Sequence, residues 1–159
     1  MGFIGLDIAQ LRILAYVGLA MLLGAVIGFE REVEKKPAGL RTHILVAGAS
    51  TLFVALGDVV IRDFSRGLGS GLVQSDPVRV IEAVVTGVSF LGAGTIVLRR
   101  GRDQVEGLTT AASILFTAAV GMCVALSRLL LAVGVTVLVL ITLRGLGLLE
   151  SWLLRRQNG

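Results

Sequence analysis

Five stretches of this sequence are apolar over roughly the thickness of a bilayer. A helix rising ~1.5 Å per residue needs ~20 residues to cross ~30 Å of hydrocarbon, and the stretches at 11–29, 40–61, 77–98, 107–126 and 129–149 approach or exceed that length. Lipid offers no hydrogen bonds to the backbone, so each stretch has to satisfy its own N–H and C=O groups as a helix. The predicted fold is all-α: an integral membrane bundle of about five transmembrane helices, forming one domain over residues 1–159. Composition points the same way. With 55% hydrophobic and 16% charged residues and a mean hydropathy of +0.89, the chain lacks the polar side chains to cover a soluble domain of this length.

The net charge of +4 and pI near 10.2 would suit a nucleic-acid partner in a soluble protein. In a membrane protein, Lys and Arg gather beside helix ends and set orientation instead, so no nucleic acid is expected. With five spans, alternate loops fall on opposite sides. Arg31, Lys35, Lys36, Arg41, Arg99, Arg100, Arg102, Arg155 and Arg156 fall on one side, and the smaller set of Arg12, Arg62, Arg66, Arg79 and Arg128 on the other. The amino terminus is therefore expected outside and the carboxyl terminus in the cytoplasm. No basic region precedes the first apolar residues and no small-residue cleavage site follows them, so the first span is expected to be retained.

Catalytic chemistry finds little support. The single cysteine, Cys123, permits no intramolecular disulfide and no thiolate metal cluster. The single histidine, His43, has no second His or Cys at zinc spacing, and there is no HExxH, nucleotide loop or Ser/His/Asp order. No enzyme activity, catalytic residue, cofactor-binding residue or resident metal is expected.

The informative residues are the polar and small ones placed in or beside the apolar spans. Gly24 and Gly28 form a small-xxx-small step that admits a neighbouring helix closely. Glu30 and Arg31 stand at the hydrocarbon boundary, where opposite charges pair with each other or with another helix; the rest of the mixed-charge run up to Pro37 reads as a solvated turn or interfacial helix. Arg41, Thr42 and His43 lie in the first turn of the second span, with Arg41 suited to snorkelling and His43 to a hydrogen-bonded packing role. In the third span Asp76 is placed to cap the helix, Pro77 to occupy its first position, and Arg79 to reach Glu82 one turn further in. Thr86, Gly87, Ser89, Gly92, Ala93 and Gly94 make a smooth, weakly polar surface along which helices meet or a small ion passes. Thr109 and Thr110 open the fourth span, where hydroxyls bond back to carbonyls one turn earlier or satisfy a neighbouring helix.

GFERE at 28–32, AGLRTH at 38–43, DPVRV at 76–80, GVSFLGAGTIV at 87–97 and GLTTAA at 107–112, in this order with membrane spans between them, resemble the MgtC/SapB family of bacterial inner-membrane proteins. The resemblance covers about residues 24–121 and implies a role in growth under magnesium limitation, in survival of intracellular pathogens, and in some members inhibition of the membrane ATP synthase. It carries over to Glu30, Arg31, Arg41, Thr42, His43, Asp76, Arg79, Gly92, Gly94, Thr109 and Thr110, and Cys123 falls in a span where a family cysteine has been considered functional. Many members also have a soluble ACT-like carboxyl-terminal domain, which this chain, with seven residues after Trp152, is expected to lack. Two readings follow. One is a regulatory protein that docks on another membrane complex; the other is an oligomeric transporter or channel for Mg²⁺ or another cation, for which a homodimer would supply the room. Mg²⁺ wants oxygen ligands, and the acids available here, Glu30, Asp76 and Glu82, each have an arginine close in sequence.

Overall fold

A computed structural model describes residues 8–67, 77–98 and 105–157. Five helices account for nearly all of them: α1 (Ile8–Val33), α2 (Leu40–Gly67), α3 (Pro77–Ala93), α4 (Leu108–Ala125) and α5 (Leu129–Gln157). By length and composition, α1, residues Leu40–Arg62 of α2, and α4 are each long and apolar enough to cross a membrane; α5 is apolar over Leu129–Gly145, and α3 has 17 residues. The surface is what a bilayer demands. Large apolar side chains such as Leu22, Phe90 and Leu130 point outward, whereas much of the buried set is small or polar: Ala20, Ala47, Ser50, Thr51, Ser113, Thr117 and Ala118.

Helices α1, α2 and α4 form the centre of the bundle, each packed on the other two. Helices α1 and α2 run antiparallel, joined by a short turn that begins with a Schellman ending on α1: the Lys36 N–H donates to Arg31 O and the Lys35 N–H to Glu32 O, each at 3.0 Å. Lys35 takes the left-handed conformation this motif requires, with φ 52°. Glu32 then accepts a hydrogen bond of 3.0 Å from the Leu40 N–H, placing a carboxylate on the free donors at the start of α2. The same ending closes α4, where the Arg128 N–H donates to Cys123 O and the Ser127 N–H to Val124 O, and Ser127 has φ 58°. That turn reverses the chain into α5.

Helix α4 runs parallel to α2, since His43 meets Ser113 and Thr51 meets Gly121. Close approach depends on missing side chains. A Cβ on Gly24 would stand 2.6 Å from His43 O, one on Gly28 2.8 Å from Leu40 Cα, and one on Gly121 would collide with Ala47 O. Helix α3 lies antiparallel to α4 with Gly92 against Ala111, and Val84 and Val88 join Ile114, Ala118 and Met122 in one apolar cluster. Helix α5 covers the other flank, where Ala132 and Val139 pack with Ala20, Ile27, Val120 and Val124.

The third span ends earlier than the 77–98 expected from hydropathy: α3 stops at Ala93. Gly92 and Gly94 are poor helix formers and Thr95, Ile96 and Val97 are β-branched, so the chain turns at Gly94. The Thr95 N–H and hydroxyl both return to Gly92 O, at 2.9 and 2.7 Å. Val97–Leu98 and Val105–Glu106 then pair as two-residue antiparallel strands, β1 and β2. Gly107, with φ +96°, connects β2 to α4 at a point where a Cβ would strike Thr95 O.

This packing sets an expectation for glycine replacement. Gly121→Ala forces a methyl into the α2 backbone and is expected to cost about 1–3 kcal/mol of overpacking, whereas Gly134→Ala, with nothing within 4 Å of the added carbon, is expected to be neutral or slightly stabilising. Thermal unfolding in detergent, followed by circular dichroism, measures the difference; equal midpoints for the two variants would contradict the account.

Candidate functional site

The charged and imidazole side chains of the interior, Glu30, Arg31 and His43, gather at one end of the bundle, where α1 ends and α2 and α4 begin. Glu30 and Arg31, at the last turn of α1, are 2% and 3% exposed. They face each other as a two-point pair: Arg31 Nε donates to Glu30 Oε2, and Nη2 to Oε1 at 2.6 Å. Neighbours in sequence rarely share a helix face, so both side chains have to bend toward each other. Packing leaves them no aqueous alternative, and a lone buried charge costs more than a buried pair.

One turn away across the α1–α2 contact lies His43, fully buried, with its Cβ beside the space left by Gly28. Its Nδ1 donates 2.8 Å to Gly39 O and its Nε2 lies 3.0 Å from Ser113 Oγ on α4. Ser113 Oγ is also 2.8 Å from Thr110 O. The hydroxyl has one proton and two acceptors competing for it. With neutral His43 the proton goes to Nε2. With cationic His43, Nε2 donates to Ser113, which donates onward to Thr110 O. The two forms differ by one proton and share one heavy-atom geometry.

A further tie follows on the same face of α2. Thr51 Oγ1 lies 3.0 Å from Ala47 O and 2.8 Å from Gly121 O, and on α4 Thr117 bonds back to Ser113 O at 2.8 Å. The Thr51 hydroxyl ties α2 to α4 where glycine and alanine bring the backbones together. Among the described residues, no buried side-chain nitrogen or oxygen is left without a partner.

The other residues singled out by sequence lie elsewhere. Arg41 is exposed, Thr42 half-buried, Thr109 exposed and Thr110 buried behind Ser113. Arg79 and Glu82 are exposed at the opposite end, on α3; no ion pair joins them among the described residues, although their spacing allows one. Asp76, like Arg99, Arg100 and Arg102, lies outside the described residues. Of the glycines, Gly24 and Gly28 form the α1–α2 contact, Gly92 touches α4, Gly94 meets only its own turn, and Gly87 faces open space. No group of three or more His, Cys, Asp or Glu among the described residues is arranged to hold a metal ion. Sequence reasoning passed over Thr51, Ser113 and Thr117. Their signal was periodicity: His43, Ala47 and Thr51 on α2, and Ser113, Thr117 and Gly121 on α4, recur every four residues as stripes of small and hydroxyl residues.

The pair at the end of α1 generates a direct test. Arg31→Met leaves Glu30 buried alone and is expected to cost about 3–5 kcal/mol, while Glu30→Gln combined with Arg31→Met removes both charges and is expected to recover most of that loss. Unfolding midpoints of the single and double variants in one detergent provide the comparison; a double variant as unstable as the single would contradict the pairing.

Comparison with known proteins places these features in a family. The model of the MgtC family matches residues 17–152, which takes in all of α2, α3 and α4. SrpB of Synechococcus elongatus is 41% identical over 85% of this chain and 76% of its own length. YhiD of Escherichia coli K12, whose name offers magnesium transport as a candidate activity, is 43% identical over 67% of this chain and 47% of its own. MgtC of Brucella abortus is 43% identical over 65% of this chain and 38% of its own. The chain thus spans about half the length of the YhiD relative and less of the Brucella one. No solved structure matches it. On this evidence of sequence, carried by helices that pack as a membrane bundle, the chain belongs to the MgtC family.

Proposed function

We propose that this protein is a regulatory component of the bacterial inner membrane, active in adaptation to low magnesium, that works by docking on another membrane complex such as the ATP synthase. The observation that carries this reading is the outward face of α3. Glu82, Thr86, Ser89 and Ala93 recur at helical spacing and are all exposed, and Glu82 makes no ion pair among the described residues. Glu82 lies about 7 Å along the helix from its start at Pro77. A carboxylate facing lipid at that depth is costly and marks a functional surface, and small hydroxyl residues beside it are what a second helix packs and bonds against. The interior supports the same reading, since its two charges pair with each other and its hydroxyls bond to backbone carbonyls and to His43. The face would meet a partner helix that offers a cation or an amide opposite Glu82. The proposed orientation has the amino terminus outside and the carboxyl terminus cytoplasmic, with a homodimer as the assembled form.

Transport of Mg²⁺ or another cation is the second reading, favoured by the name of the Escherichia coli relative. It would use the same polar end of the bundle, opened between copies of the chain. The two readings separate cleanly in one pair of measurements. Glu82→Leu is expected to abolish capture of the partner from native membranes by at least about tenfold, the equivalent of ~1.4 kcal/mol, with the fold retained and no cation flux in proteoliposomes from either form. Magnesium flux by the unaltered protein that Glu82→Leu leaves intact, with the same proteins captured by both, would overturn the docking reading.

A further inference from the structure

Helices α2 and α3 touch closely near one end, where Val80 Cγ2 lies 2.9 Å from the position of a Cβ on Gly57, and then separate. Between them opens a groove of about 780 Å³, walled by Leu45, Ala49 and Phe53 on α2 and by Arg79, Gly87 and Leu91 on α3. The groove exists because of small residues at mid-depth: nothing lies within 4 Å of a carbon added to Gly87. Its walls are apolar but for Ser50 on α2 and, at one end, Arg79, the one charged residue among those lining it.

The dimensions and the charge point to one occupant. From Arg79 to Leu91 the groove follows α3 for about 18 Å at ~1.5 Å per residue, close to the ~15 Å that one leaflet contributes to a ~30 Å hydrocarbon core. Arg79 stands in the first turn of α3, and arginines at the ends of apolar helices reach toward lipid headgroups; it has no ion-pair partner among the described residues. A guanidinium at that depth matches a phosphate in geometry and charge. An acyl chain in contrast needs only apolar walls and a leaflet's length. We infer that the α2–α3 groove is a binding site for a single anionic phospholipid, one acyl chain lying along Gly87 and the headgroup phosphate held by Arg79. The site is separate from the outward stripe of Glu82, Thr86 and Ser89, and it would brace α3 where that helix leans away from α2.

The test uses the whole chain, purified in detergent and stripped of lipid, then titrated with dioleoyl phosphatidylglycerol or dioleoyl phosphatidylcholine and examined by native mass spectrometry. The unaltered protein is expected to retain one phosphatidylglycerol with about fivefold preference over phosphatidylcholine, the ratio corresponding to ~1 kcal/mol for one cation near an anionic lipid. Arg79→Gln is expected to remove the preference but keep residual binding, and Gly87→Leu to remove both. Gly87→Leu adds its side chain to empty space, and an unchanged unfolding midpoint verifies the fold; Ala83→Leu, on the same groove wall, serves if that midpoint falls. Equal retention of the two lipids by the unaltered protein, or retention unaffected by filling the groove, would overturn the inference. So would loss of a dimer in Gly87→Leu with lipid retention unchanged, which would assign the groove to a second copy of the chain.

Discussion

Backbone contact of α2 with α1 and with α4 is the constraint on which the bundle depends. Gly24 and Gly28 admit α1 to the His43 and Leu40 backbone, and Gly121 admits α4 to Ala47. In lipid, helices gain nothing from hiding apolar side chains that hydrocarbon already solvates, so association rests on close van der Waals fit and on hydrogen bonds across the seam. Both occur at the same places here. The approach that glycine permits is what brings Thr51 within reach of Gly121 O, and His43 within reach of Ser113.

That arrangement decides what the polar residues can do. Glu30 and Arg31 are held together, and His43 is held between Gly39 and Ser113, so the interior charges and dipoles are matched locally. The Ser113 hydroxyl can turn its proton toward His43 or toward Thr110 O without movement of heavy atoms, which suits a rigid centre. Arg79 and Glu82, on α3, have no such match among the described residues. Helix α3 meets α2 closely at Gly57 and α4 at Gly92, leaving one face against a groove and another against the bilayer. The proposed contacts with lipid and with a partner both fall on this helix.

Much of the architecture was legible in residue order. Five apolar stretches of bilayer length can only be helices, and five were found; Pro77 as the opening residue of α3 follows from its fixed φ and missing N–H. Hydropathy failed at the end of the third span because Gly94, Thr95 and Ile96 are as apolar as a helix needs but conformationally suited to a turn and strand. Glu30 and Arg31 stood out as charges at a hydrocarbon boundary. Thr51, Ser113 and Thr117 did not, since a hydroxyl in an apolar helix has the same local appearance whether it bonds its own backbone or another helix.

The sequence by itself determined that the chain is helical and membrane-embedded, with charges at the span ends, because those properties follow from length, hydropathy and the backbone's need for partners in lipid. Tertiary structure decided the rest. That His43 faces Ser113, 70 residues away, that Gly24 and Gly28 are spent on an internal contact, and that Gly87 is open all depend on which helix faces which. Helix periodicity defines the faces of each span but carries no information about their neighbours; only the packing of five cylinders against one another supplies it.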